Sequence, residues 1–473
     1  MADSLKRWPT RTTALDRWAT VVIFGLGLVI AILVLWGDRT LPKVRDFSWA
    51  NQTIGTEDTA FKLTFNRPMN WQSVTQHIQI TPPLPGKTSW SGRRLAYTLN
   101  EPVAYGQSFR MSLQQATAAT GQVIEPFTTT FKSRDLAFAY LGVNGEEAER
   151  LILYNVTRDQ KTVLTPKSLS VIHFKPYAQG DRLLFSATER NAPRPAPVQL
   201  YRVTTGLNSE KKKPGQVESV LGGKDYQILK FDLSADGQRI VVQQAIRQNM
   251  SEAGLWQLSG NGKPERIKTS GAGDFLIAPD SNTLVVAQGQ GLALVDLNQP
   301  SAQQTTEVPL DFLPQFGMVL SFTRDSSAAA MLKFNNDYTR SLFLVTNQGV
   351  QKELLRTKGS ILSATFTAQR DKMYALLTRL LPGKDYREQP YIAQIDLKTG
   401  KQTELLTLPM QRNVSFSLAP DDSRLLLDQS LGIGAQTTAS ETSAEISNIW
   451  FLALDQKVDP LVVAAGTQPQ WLP

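Results

Sequence analysis

Ser234-Ala235-Asp236-Gly237-Gln238-Arg239-Ile240-Val241-Val242 sets a tight polar turn directly before a run of β-branched residues. The unit recurs along the chain. It stands at Gln179-Gly180-Asp181-Arg182-Leu183-Leu184-Phe185 and at Pro279-Asp280-Ser281-Asn282-Thr283-Leu284-Val285-Val286. Weaker copies follow at Arg324-Asp325-Ser326-Ser327-Ala328, Gln369-Arg370-Asp371-Lys372-Met373 and Asp421-Asp422-Ser423-Arg424-Leu425. The residues that open the runs (182, 239, 283, 328, 372 and 424) are spaced by 57, 44, 45, 44 and 52. A near-constant period of this length, built from short strands, predicts a β-propeller. Asp-Gly and Asp-Ser are turn chemistry, because these residues tolerate the backbone of a tight reversal.

Each repeat parses into four strands. One reads Ile228–Leu233, Arg239–Gln243, Gly254–Leu258 and Glu265–Lys268; the next reads Asp274–Ala278, Thr283–Ala287, Leu292–Leu297 and Thr306–Pro309. The inner strands are nearly continuous in Val, Leu and Ile, as expected where both faces of a sheet are covered. The first segments, Ala137–Gly142, Arg150–Val156 and Lys161–Thr165, supply second, third and fourth strands with no inner one. The tail, Thr467-Gln468-Pro469-Gln470-Trp471-Leu472-Pro473, reads as that missing strand. Pairing the two ends predicts a closed ring of seven blades over 134–473, or six if one repeat is misparsed, with no exposed strand edge at the join. With nothing after Pro473, the prolyl-oligopeptidase arrangement is not expected. The phrases around Leu233–Ile240 and Leu418–Leu426 resemble the TolB-type (WD40-like) repeat, although only Ala235-Asp236-Gly237 keeps the Asp-Gly pair.

Residues 46–133 alternate at closer spacing. Ala60–Phe65, His77–Ile80, Arg94–Leu99, Ser108–Leu113 and Phe127–Phe131 show period-2 patterning, separated by breaks such as Pro82-Pro83-Leu84-Pro85-Gly86. An immunoglobulin-like sandwich is expected. Phe65-Asn66-Arg67-Pro68-Met69-Asn70, Val74 and Ile78-Gln79-Ile80 with Pro82 resemble the bacterial Ig-like domain of the SbsA type, with Asn66 in place of its usual serine. That resemblance implies a spacer on a bacterial envelope protein and no chemistry.

From Ala19 to Trp36 eighteen residues carry no charge, and Trp18 and Trp36 bracket the run. As a helix it reaches roughly 27 Å at about 1.5 Å per residue, close to the hydrocarbon thickness of a bilayer. The expectation is a cytoplasmic N-terminus (1–18), an uncleaved anchor (19–36) and a connector (37–45). The rest would lie outside the cytoplasm, as a single-pass inner-membrane protein with its C-terminal domains periplasmic. Residues 1–45 hold seven Lys/Arg against three Asp, half of the net charge of +8; the remainder is too evenly spread for a nucleic-acid footprint. The chain has no cysteine, which excludes disulfides, thiolate nucleophiles and cysteine-ligated metals.

Catalytic candidates are few. The two histidines, His77 and His173, fall in separate domains, so a histidine triad or multi-histidine metal site cannot form within one. Arg182, Arg239 and Arg424 hold equivalent positions on three blades and read as rim residues rather than as a carboxylate clamp. Asp421-Asp422 lacks the spaced oxygen ligands of a calcium loop. No catalytic residue, metal ligand or cofactor is therefore assigned. The insertions Arg190–Pro197, Asn208–Gly215, Leu380–Pro390 and Gly432–Ser447 are the better candidates, since binding function concentrates in loops on a rigid scaffold. The expected function is that of a non-enzymatic binding or scaffold protein recognising a protein, peptide or glycan. A glycan hydrolase or lyase is the alternative.

Overall fold

A computed structural model describes residues 14–473, apart from 37–39, 194, 208–212, 224, 261, 270–272, 290, 299–310, 384–385, 411–413, 430–446 and 455–458. The chain is all-β and propeller-like. Five four-stranded antiparallel sheets follow one another over 169–221, 226–267, 275–313, 318–357 and 361–407, each in simple sequence order. The second strands begin at Arg182, Arg239, Thr283, Ala328 and Lys372, the residues that open the sequence runs. The fourth strand of the 275–313 sheet is Asp311–Leu313, whereas the expected Thr306–Pro309 lies outside the described residues. First strands of neighbouring sheets touch, as Met318–Phe322 does Ile361–Phe366 and Tyr226–Leu233 does Phe275–Ile277. The cores lie between sheets: Val241, Leu255 and Ile267 of one pack on Phe275, Leu284 and Val286 of the next.

The ends of the repeat region meet in one seven-stranded sheet, and the strand Leu461–Trp471 lies at its centre. Its first half pairs with Asn448–Ala453, through Asn448↔Ala465. Its second half pairs with Ala137–Gly142, through Gly466↔Gly142 and Trp471↔Phe138. One strand thus ends the last repeat and supplies the inner strand of the first. Gly466 sits at the change of partner, where an added Cβ would lie 2.8 Å from the Leu141 carbonyl oxygen, so a side chain there is excluded. Trp471 closes an aromatic cluster, 5.6 Å from Phe451 in stacked geometry and 5.5 Å from Phe138 edge to face.

Residues 44–133 form two four-stranded sheets. One orders its strands Val44–Phe47, Ala60–Phe65, Arg94–Leu99, Gly86–Ser91; the other Thr53–Ile54, Phe127–Ser133, Ser108–Leu113, Ile78–Thr81. Alternating residues meet between them: Phe61, Leu63, Phe65 and Leu95 from one, Phe109, Met111, Leu113 and Phe131 from the other. Each such fully buried side chain contributes about 1.5–3 kcal/mol over an exposed one. His77 is not in a strand. It ends the short helix Trp71–His77, capped by Asn70, whose side chain accepts from the Ser73 amide, and its Nδ1 lies 2.7 Å from the Ser73 carbonyl oxygen.

The N-terminal expectation needs correction. Ala14–Trp36 is helical, but among the described residues no helix is long and apolar enough to cross a membrane. Single-pass placement in the inner membrane through residues 19–36 is therefore withdrawn.

Candidate functional site

Four first strands line a cavity of about 430 Å³, built from His173, Thr365, Ser415–Leu418 and Gln468–Trp471. These residues come from strands far apart in sequence, and the cavity exists only because the terminal strand returns beside Leu169–Pro176. Gln468 takes a positive φ of 52°, where the pairing with Ala137–Gly142 is interrupted. Its Nε2 donates to the Ile172 carbonyl (3.2 Å), which turns its Oε1 toward Nδ1 of His173 at 3.3 Å. The imidazole therefore carries its proton on Nδ1 and leaves Nε2 as an acceptor. Its pKa is held below the ordinary histidine range. Exclusion of water by surrounding protein is the main cause; the Gln468 bond opposes it, and the charges of Lys175 and Lys230 add to it.

The wall beside His173 is braced by charges that link neighbouring sheets. Lys175 pairs with Asp232, and Lys230 pairs with Asp274. Asp232 is buried, and its second oxygen accepts the Ile277 amide at 2.7 Å, so one carboxylate ties three successive sheets. On the other side, Asp428 accepts from the amide of Ser415 (2.5 Å), its hydroxyl (2.8 Å) and the amide of Gln468 (2.8 Å). The Ser417 hydroxyl accepts from the Trp471 amide at 3.1 Å. Among the described residues the His173 ring bonds to no hydroxyl, so no serine nucleophile is paired with a base here. The arrangement can hold a ligand through an imidazole acceptor and neutral hydroxyl and amide groups.

The two ends of the repeat sheets differ. In a four-stranded meander the first-to-second and third-to-fourth turns share one end, and the second-to-third connections lie at the other. The two-sheet domain sits against the first kind. The Tyr105 amide donates to Asp421 (3.4 Å), Arg324 to the Thr56 hydroxyl (2.7 Å), and the buried Arg134 to the side chain of Gln179 (2.9 Å) and the Ala178 carbonyl (3.4 Å). A cavity of about 620 Å³ remains between Thr56–Thr59 and Leu99–Pro102 on one side and Arg324, Asp325 and Ala368–Arg370 on the other. At the opposite end large side chains stand in solvent: Tyr338 at 92%, Tyr386 at 70% and Phe334 at 57% exposure, with Leu380 beside the connection that holds Tyr386 and Met250 beside that of another sheet.

The sequence-nominated residues are dispersed. Arg182, Arg239 and Arg424 each open a second strand, but they are tied down separately. Arg182 lies 4.6 Å over the Tyr177 ring, Arg239 donates to the Ser281 carbonyl (2.6 Å) and to Asn298 (2.6 Å), and Arg424 lies 6.0 Å from the Phe451 ring. Asp421 serves the junction with the two-sheet domain, Asp422 accepts the Ala368 amide of the neighbouring repeat, and among the described residues no cluster of metal-ligating side chains occurs. Of the insertions, Arg190–Pro197 and Leu380–Pro390 join second to third strands on the free end; residues 208–212 and 430–446 lie outside the described residues. Missed were Gln468 and Gln470. Their only sequence signal was membership of the terminal strand.

No protein-family model matches the chain, and no curated protein does. Solved structures do resemble it. TolB from Acinetobacter baumannii is 13% identical, with 86% of this chain and 88% of that one covered and a TM-score of 0.42. An oligogalacturonate lyase from Vibrio parahaemolyticus is 9% identical (74% and 94% covered, TM-score 0.43). A putative 6-phosphogluconolactonase from Bacteroides fragilis is 12% identical (72% and 98% covered, TM-score 0.42). At such identities and scores nothing is inferred about activity, and the architecture rests on the strand pairing above.

Proposed function

We propose that this chain is a non-enzymatic binding protein, in which an Ig-like spacer (46–133) carries a seven-bladed propeller (134–473) closed by its own terminal strand. Recognition of a protein or peptide takes place on the end away from the spacer. The observation that carries this reading is the display of the aromatic side chains Phe334, Tyr338 and Tyr386, with Leu380 beside them, on the end that the two-sheet domain leaves open. Exposed aromatic residues grouped on a rigid frame are what a partner buries at low entropic cost. The axial cavity, with its neutral lining and single imidazole, suits a polar group of the partner reaching into the ring.

Photocrosslinking tests this. A benzophenone side chain at 338 or 386 is expected to capture one discrete partner, and the same probe at 350, on the spacer side, none. The double variant Tyr338→Ser, Tyr386→Ser should abolish capture while leaving the unfolding midpoint unchanged. Equal capture from both ends, or turnover of a glycan by the purified chain, overturns the reading.

A further inference from the structure

A second site lies on the spacer, on the outer face of the sheet led by Val44–Phe47. Cross-strand partners point the same way, and the register sets Asp46, Thr64, Arg94 and Ser91 in one row. Phe65, Leu63 and Leu95 face the core, so this row faces outward. The pairing slips between Val44 and Asp46, which makes Arg45 the extra residue of a bulge, a feature that re-aims a side chain. The result is a pocket of about 360 Å³ lined by Arg45, Thr64, Phe65, Ser91, Arg93 and Arg94. Arg93 is held at the rim by its bond to the Asn66 carbonyl (3.0 Å). Among the described residues none of the three arginines forms an ion pair, although Asp46 stands on the same face. Three guanidinium groups, none of them paired with a carboxylate, beside two hydroxyls make a donor-rich pocket, with Asp46 at its edge.

We propose that this pocket binds a phosphate group, which the planar guanidinium fork meets through paired N–H donors. Neither the ring nor its free end takes part, so the site stands independently of the proposed function. The phosphate could belong to a soluble phosphomonoester or to a lipid headgroup, and the test separates them. The full chain is titrated with glycerol phosphate, followed by phosphorus NMR, and floated with phosphatidic acid vesicles against phosphatidylcholine vesicles. Arg45→Gln combined with Arg94→Gln should weaken binding at least tenfold, and Asp46→Asn should strengthen it two- to threefold. Loss of glycerol phosphate binding in the double variant identifies a soluble ligand; loss confined to phosphatidic acid flotation identifies a headgroup. Binding unaltered by all these substitutions, or absent in both assays, overturns the proposal. Because Asp46→Asn acts in the opposite direction, misfolding cannot imitate the expected pattern.

Discussion

Trp471 lies directly across from Phe138 in the antiparallel pairing of the terminal strand with Ala137–Gly142, the two rings 5.5 Å apart and inclined at 72°. Two residues separated by most of the repeat region thus share one sheet, and the join between its ends depends on this contact and its neighbours.

Replacing Trp471 with alanine should therefore cost about 3–5 kcal/mol, as for a large aromatic removed from a packed core. Trp471→Phe, which keeps a ring against Phe451 and Phe138, should cost less than half as much. Denaturant unfolding monitored by circular dichroism measures both. Equal stability of all three proteins would mean that the terminal strand contributes nothing to the join.

Asp232 is the node of the charges that brace the cavity wall beside His173, with its side chain 3% exposed. Asp232→Ala leaves the Lys175 ammonium and the Ile277 amide without their acceptor, at an expected cost of about 3 kcal/mol. Asp232→Asn retains an acceptor for the amide and should recover part of it. The comparison of unfolding free energies at low and high salt checks this, since a buried node should respond little to salt.

Asp422 should give the protein a pH signature. Burial pushes its carboxyl up to about 6; the bond from the Ala368 amide and the charge of Arg324 oppose this, and Asp421 and Asp371 reinforce it. The folded chain binds this proton more tightly than the unfolded chain, whose carboxyl has its usual value of about 3.9. The stabilising contribution is therefore complete below about pH 4 and is lost as pH rises through about 6. Asp422→Asn should be indistinguishable from the parent at pH 4 and more stable at pH 7.5. Thermal midpoints across that range measure the difference.

Arg134 joins the two-sheet domain to the repeats. Only 4% exposed, it pairs with Glu57 and donates to Gln179 and the Ala178 carbonyl. Arg134→Ala should cost about 2 kcal/mol through lost charge-assisted bonds and hasten proteolytic cutting near residue 134. An unchanged cleavage pattern would show that the junction is held elsewhere.

Much of the strand layout was legible. Arg182, Arg239, Thr283, Ala328, Lys372 and Arg424 begin strands where the sequence runs place them, because turn chemistry and hydrophobic alternation act over a few residues. Trp71–His77 was hidden, since seven residues with one buried position show no helical stripe and only Asn70 signals a cap. The strand Gly86–Ser91 was missed in a segment whose Pro-rich beginning reads as a loop.

The cavity was not legible in the same way. Gln468 and His173 are nearly three hundred positions apart, and only the returning terminal strand brings their side chains within 3.3 Å. The sequence by itself determined where strands and turns fall and that the last residues form an inner strand, because those are local choices of backbone and side chain. Tertiary structure alone decided that Leu461–Trp471 bridges the last repeat and the first, that the two-sheet domain covers one end and leaves Tyr338 and Tyr386 bare, and that Asp422 is shielded from water. Those outcomes depend on desolvation and contact between distant segments, which no local pattern encodes.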